Sequence, residues 1–386
     1  MLALPRRLRS GSSLNTRPQS SMTTSQPFSC IAGDQKRLAE LQLLESRLRE
    51  LVAVRDPQAR WVGPELKICA EQKVFEWFHR REWYGKQWSP AEIVAGYLAL
   101  SRACLTTAFV ITQRTGACQR IESSPNRDLA AEWLPRLIHG EAFATVGISH
   151  LTTSRQYQNR PAVAAVETEH GFLLEGFSPW VTGAVAADLF VVGATLPDSR
   201  QVLLAVPRTL PGVKVPPANE LLALQASQTG PVEFHSVEVP RRYLLQGPAP
   251  QVLQLGLGAG TGGLQTSTLA LGLASSALDY LGQESDTRPE LHSFGQALRQ
   301  EWIALRTDLL AAADGHPVCS NERLRQRANS LVLRATQAAL AVAKGAGFSP
   351  GHPVGRWCCE ALFFLVWSCP QPVVNANLCE LAGLAV

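Results

Sequence analysis

Hydrophobic periodicity changes twice along this chain, from helical spacing to alternation by two and back again. One period suits helices and the other strands, so the order limits the architectures open to the chain. Leu38, Leu41, Leu44, Leu48 and Leu51 fall at spacings of three and four behind Asp34, an N-cap residue type. A second helix is expected from Pro64, at its first turn, to about His79. Ser89-Pro90-Ala91-Glu92 spells a capping box and opens a third helix through Ile93, Tyr97, Leu98 and Leu100. A further helix is expected near Ala108 and a shorter one over 128–139, with no strand pattern before about residue 140.

The texture then changes. Strands are expected over 162–167, 172–176, 188–194 and 202–206, with turns at Glu169-His170-Gly171 and Pro197-Asp198-Ser199-Arg200. The stretch 232–240 alternates by two, as a half-buried strand does. From Gln251 onward the pattern is helical again, with helices expected over 264–281, about 294–313, 321–344 and from about Val354. The glycine-rich run from Gly256 to Gly263 has the look of a dinucleotide fingerprint, but no strand–helix–strand unit surrounds it, so it reads as a linker.

A chain of 386 residues exceeds what one core usually organises. The expected class is multidomain α+β: a helical domain over 34–140, an antiparallel β domain over 141–248 and a four-helix bundle over 249–386. Residues 1–33 hold Arg6, Arg7, Arg9 and Arg17, many Ser and Thr, and no acid. They read as a disordered tail, as an upstream extension of a chain starting at Met22, or as a mitochondrial-type transit segment. The corresponding expectation for location is cytoplasmic, with the mitochondrial matrix as the alternative.

A net charge of +4 with scattered arginines gives no argument for nucleic acid. No apolar run approaches the roughly 18 residues needed to span a membrane. The nine cysteines form no CxxC and no zinc spacing, so they read as reduced thiols and no metal site is expected. At 18% charged residues the surface is poor in charge, which suits an oligomer.

Several motifs, taken in this order, resemble the acyl-CoA dehydrogenase family over roughly residues 35–386. Phe143 to Thr152 stands where the family has an aromatic residue, a threonine, a Glu-Pro-Gly-Ala-Gly turn and a serine. Phe143 and Thr152 match in kind, Thr145 is one place off the family threonine, and the Glu-Pro-Gly turn is lost. Trp180-Val181-Thr182, followed by Ala187-Asp188, is similar to the family's Trp-Ile-Thr, whose indole covers the flavin and whose hydroxyl reaches toward the ring. Ser227, Val232, Phe234, Val237, Val239-Pro240 and Leu244 match the segment that closes the β domain. Ser293-Phe294-Gly295 resembles a helix start whose arginine is here Leu291, with Arg288 upstream as a substitute. Ala341 to Phe348 resembles a segment whose backbone approaches the adenine dinucleotide across a dimer. Gly345 and Gly347 are kept, the glutamine is Ala341, and one glycine is Lys344. Lys344 has two readings, a pyrophosphate contact or a cation at a helix C-terminus. Pro353 to Pro370 aligns with the segment carrying the family's most common catalytic glutamate, which here is Ser368.

The resemblance implies FAD as cofactor, an acyl-CoA or related substrate, an electron acceptor that it does not name, and a homodimer or homotetramer. Phe143, Thr145, Thr152, Trp180, Val181, Thr182, Lys344, Gly345 and Gly347 are the implied cofactor contacts. The family reaction needs a carboxylate placed on a weakly acidic α-proton, and a serine hydroxyl cannot serve without an activator. Glu360, eight residues before Ser368, would be roughly 12 Å away on one helix, and it reads as a partner for Arg356 at i,i+4. His150 reads as an acid or base, or as a solvated loop histidine. Three functions stay open: a flavin-dependent oxidoreductase, a flavin monooxygenase of the same fold, and a non-catalytic binding or assembly module.

Overall fold

A computed structural model describes residues 35–55, 60–152, 161–256 and 263–384. The chain opens with helices α1 (Gln35–Val54), α2 (Gly63–Glu71), α3 (Pro90–Ala103), α4 (Leu105–Glu122) and α5 (Arg127–Ile138). Strands follow, as β1 (Ala144–Gly147), β2 (Val163–Glu167), β3 (Gly171–Val181), β4 (Leu189–Thr195), β5 (Gln201–Pro207), β6 (Val213–Lys214), β7 (Gly230–Pro240) and β8 (Leu244–Ala249), with a one-turn helix α6 (Ser149–Thr152) after β1. Helices α7 (Leu264–Thr287), α8 (His292–Ala313), α9 (Asn321–Ala343), α10 (Pro353–Leu362) and α11 (Gln371–Leu381) complete it.

The local signals explain most of these boundaries. Ser89 caps α3 by accepting from the Glu92 backbone N–H, while the Glu92 carboxylate accepts from the Ser89 N–H at 2.6 Å. Asn126 caps α5 by accepting from the Leu129 N–H at 3.1 Å. The helix expected from Pro64 to His79 instead ends at Glu71. Lys73 adopts a left-handed φ of 58°, and a 3-10 turn over Val74–Phe78 follows. The cap expected at Asp34 and most of the glycine-rich run lie outside the described residues.

The strands pair in the order β6-β7-β3-β2-β4-β5-β8, with β1 on β4. Neighbours run antiparallel along most of this sheet. The two exceptions among the described residues are β1 and β2, which both run parallel to β4. A parallel neighbour needs a long connection, and the chain supplies one between β2 and β4 by running out and back through β3.

Two cores result. One is built by helices from both ends of the chain, with Leu41, Leu44, Leu98, Leu100, Leu269, Leu273, Leu305 and Leu331 buried together. Gly272 lets α7 approach α3 closely, because a Cβ there would lie 2.6 Å from that of Ser101. Ser101 Oγ donates to the Leu269 carbonyl at 2.6 Å, and Ser276 Oγ donates to the Arg102 carbonyl at 2.7 Å across the same crossing. The other core joins the sheet to α5 through Phe172, Phe190, Phe234, Trp133 and Leu134. Among the described residues, no helix is long and apolar enough to cross a membrane.

Candidate functional site

The end of β1 lies against the end of β3. A Cβ on Gly147 would be 3.1 Å from Ser178 Oγ and 3.4 Å from Val181 Cγ2. This juxtaposition brings the segment from Phe143 to Thr152 beside Trp180-Val181-Thr182. Alternation along β1 sends Val146 the other way, onto Gly116 of α4. Val146 holds the place of the family threonine, so that place faces a helix. Thr145 is fully buried with no hydrogen-bond partner for its hydroxyl, and Thr152 ends α6.

Trp180 differs from its neighbours in being open to solvent. Its side chain is 54% exposed, whereas Val181 and Thr182 are buried. With Phe177, Pro179, Leu221 and Pro231 it lines a depression of about 480 Å³, and Asn219 and Glu220 supply the polar part of the rim. The depression is shallow and mostly open to solvent, and its lining is mainly apolar. The residues present that could meet a planar aromatic group there are the exposed faces of Trp180 and Phe177, with Pro179 and Pro231 beside them.

Two residues after Trp180, the Thr182 hydroxyl is hydrogen-bonded to that of Thr229 at 3.0 Å, and Thr229 to that of Ser227 at 2.8 Å. Ser227 and Thr182, singled out from separate sequence motifs, are thereby joined through Thr229, which sequence reasoning missed. Nothing in the spacing signals Thr229, because the link crosses between strands. The turn after Thr182 needs a glycine. Gly183 has φ +68°, and a Cβ there would lie 2.8 Å from both Phe143 and Trp61. The Trp61 ring meets Phe143 edge-on at 5.5 Å, and the Phe143 N–H donates to Asp188 Oδ2 at 2.9 Å.

Helix α4 connects this wall to the turn that carries Ser368. Val110 packs with Trp61, Phe143 and Ala226 in a small buried cluster. Its neighbour Phe109 meets Phe363 at 4.9 Å and Trp367 at 5.0 Å, both edge-on. Ser368 follows in a turn with a φ of +46°. Buried Arg325 and Asn329 of α9 hold that turn. Arg325 Nη2 donates to the carbonyls of Phe364 at 3.2 Å and Trp367 at 3.0 Å, and Asn329 Nδ2 donates to Phe364 at 3.0 Å. Arg325 and Asn329 carry no motif and were invisible to sequence reasoning.

Helix α10 ends at Leu362, so Glu360 and Ser368 do not share a helix and a spacing taken along one does not apply. Glu360 is buried. It accepts from Thr106 Oγ1 of α4 at 3.3 Å and lies 3.9 Å from Arg356 Nε. Burial pushes its carboxyl above the usual carboxylate range, against the pull of Arg356. His150 is not a solvated loop residue. Its Nε2 donates to the Gly193 carbonyl at 2.8 Å, its Nδ1 is buried without a partner, and burial holds it below the ordinary histidine range.

The remaining residues lie at the far end of α9. Lys344 and Gly345 are exposed and Gly347 is buried in a 3-10 turn over Lys344–Phe348. Arg288, the substitute for the arginine replaced by Leu291, is ion-paired with Glu284 and donates to the Val342 carbonyl at 3.1 Å. It is therefore engaged within its own chain, two residues from Lys344. This turn packs against α9 and α10.

No family model matches the chain. It is 22% identical over 360 residues to benzylmalonyl-CoA dehydrogenase of Aromatoleum aromaticum, an alignment covering 81% of this chain and 93% of that protein. It is 25% identical over 215 residues to the mitochondrial short-chain specific acyl-CoA dehydrogenase of Rattus norvegicus, covering 52% of this chain and 48% of that one. The chain thus spans about half the length of the rat relative. Among solved structures, butyryl-CoA dehydrogenase from Megasphaera elsdenii superposes with a TM-score of 0.76 at 16% identity, over 90% of this chain and 98% of that chain. At that identity the superposition establishes the fold.

Proposed function

We propose that this chain is a divergent member of the acyl-CoA dehydrogenase family and an FAD-dependent oxidoreductase acting on an acyl-CoA or related substrate. The half-exposed indole of Trp180 over an apolar depression carries this reading. When bound there, the flavin would supply the two-electron acceptor for oxidation of a carbon–carbon single bond.

The chain's own part is positioning. Trp180 offers a flat face to the ring, while Phe143, Thr145, Val181 and Thr182 shape the wall from behind it. Thr152, Lys344, Gly345 and Gly347 are the further contacts assigned to the cofactor, the last three to its dinucleotide end across a homodimer or within a homotetramer. The segments 34–140, 141–248 and 249–386 serve as its three domains. Ser368 stands at the position of the family glutamate, and its hydroxyl does not substitute for a carboxylate in taking an α-proton. That absence favours a second reading, a flavin monooxygenase of the same fold, in which no such base is required.

Visible absorbance of the purified full-length protein tests the cofactor. Trp180→Ala is expected to lose bound flavin while keeping its cooperative unfolding, because the side chain contributes little to the core. Anaerobic bleaching by a panel of acyl-CoAs then separates the readings. Bleaching supports the dehydrogenase. An oxygen-dependent product formed with a flavin reductase, without bleaching, supports the monooxygenase. A protein that holds no flavin under any condition ends both.

A further inference from the structure

A hydrogen bond that depends on the state of one proton lies at the start of α10, among groups the proposed reaction does not use. Pro353 has no N–H, so the Val354 N–H is the first donor of this helix that needs an acceptor, and Val354 is fully buried. The acceptor is a side chain. The Val354 N–H donates to His352 Nδ1 at 3.3 Å. An amide N–H can only donate, so Nδ1 offers a lone pair and the ring is neutral, with its hydrogen on Nε2. The residue is itself held in place. Its backbone N–H donates to the Ser349 carbonyl at 3.1 Å, and the Tyr280 ring of α7 meets the imidazole edge-on at 5.9 Å.

The same first turn of α10 rests on the turn over Lys344–Phe348. A Cβ on Gly355 would run into the Gly347 carbonyl oxygen, so the two backbones touch there. The charged groups around His352 supply no counter-ion. The histidines with ion pairs among the described residues are His79 and His235. On α7, beyond Tyr280, Glu284 is taken up by Arg288. Lys344 of the turn and Arg356 of α10 are basic, and Arg356 faces Glu360. The last turn of α9, Leu340 to Ala343, holds no ionisable side chain.

We propose that His352 is a pH-sensitive latch on α10. With the ring neutral, Nδ1 holds the first turn of the helix against the Lys344–Phe348 turn. A proton on Nδ1 sets a donor against the Val354 donor and places a cation at the positive end of the helix dipole. Histidine is the side chain that changes charge between about pH 5 and 8, so the latch opens on mild acidification. Glu360 on the same helix acts in the opposite sense, because the folded protein binds its proton more tightly than the unfolded chain. Under the flavin reading, release also loosens Lys344, Gly345 and Gly347, the contacts assigned to the dinucleotide end of the cofactor. That consequence rests on the proposed function, whereas the latch does not.

Hydrogen exchange of the full-length protein, read by mass spectrometry on peptides over 349–358, tests the latch at about pH 7.5 and about pH 5.5. Protection, corrected for the intrinsic rate at each pH, is expected to fall about fivefold to tenfold on acidification, the usual worth of a side-chain cap. Peptides over 325–336 of α9 are expected to keep theirs. His352→Asn caps without titrating and is expected to hold its protection at both pH values. Equal wild-type protection at the two pH values, a fall shared by 325–336, or the same fall in His352→Asn overturns the latch. Where His352→Asn does not fold, the wild-type fall, confined to 349–358 or not, decides by itself. Flavin absorbance of the same samples keeps the two claims apart. A latch that opens with no loss of flavin overturns the cofactor role of the Lys344–Phe348 turn and leaves the latch standing.

Discussion

Phe363 and Trp367 lie face to face, ring centroids 5.2 Å apart and planes 11° from parallel, and the stack ends one residue before Ser368. Phe109 closes it edge-on from α4, so the turn at Ser368 is seated on the helix that also supports Phe143. Trp367→Ala removes a partly buried ring and its aromatic contacts, with an expected cost of about 2–3 kcal/mol. Urea unfolding measures it, and an unchanged midpoint means that the stack does not hold the turn.

Position 368 is where a carboxylate would restore proton abstraction. Ser368→Glu is expected to speed flavin bleaching by an acyl-CoA by at least about 10²-fold, the usual lower range for a positioned acid or base. Stopped-flow absorbance under anaerobic conditions reads it. A variant that binds flavin and substrate yet gains no rate removes position 368 from the reaction.

Lys344 occupies a backbone conformation of φ 55°, ψ −145°, territory nearly reserved for glycine. Lys344→Gly is expected to stabilise the chain by about 1 kcal/mol, seen as a higher urea midpoint with unchanged slope. A loss of stability instead would give the lysine side chain a stabilising contact that outweighs the relieved strain.

Glu360 carries a sign that a pH series can read. Its folded-state pKa is raised, chiefly by burial, so the folded protein binds this proton more tightly than the unfolded chain. Below the unfolded pKa, near about 4.3, both states are protonated and the group contributes nothing to the pH slope. As pH rises from there through the folded pKa, the unfolded chain ionises first and stability falls. Glu360→Gln is expected to flatten that slope in denaturant titrations. A wild-type slope that the variant leaves unchanged assigns the effect to another group.

Much of the architecture was legible because local and tertiary preferences agree. The Ser89 capping box, the alternation over 232–240 and the leucines of α1 each point to the element found. Agreement fails where a contact distant in sequence decides. Nothing before Lys73 signals that the helix starting at Gly63 stops at Glu71, and β1 is too short for periodicity to reveal. The same holds in the site. Trp180 could be read from its motif, but Arg325 and Asn329 act on carbonyls some 35 to 42 residues away, and no local pattern records that. His150 reads as solvated until the Gly193 carbonyl of a neighbouring strand is known to accept its hydrogen bond.

The Thr182–Thr229–Ser227 chain is buried, so removing its middle member should be felt. Thr229→Val leaves two buried hydroxyls without their shared partner, an expected cost of about 1–3 kcal/mol by thermal or urea denaturation. A neutral result would mean that both hydroxyls find other acceptors.

Three oxygens in that row own three hydrogens and share only two links, so one hydrogen is always left over. Thr182 can offer it outside the row only when Ser227 donates to Thr229 and Thr229 donates to Thr182. If the row runs the other way, Thr182 is reduced to an acceptor and the spare hydrogen sits at Ser227. The polarity of three small side chains thus decides whether this wall gives or receives.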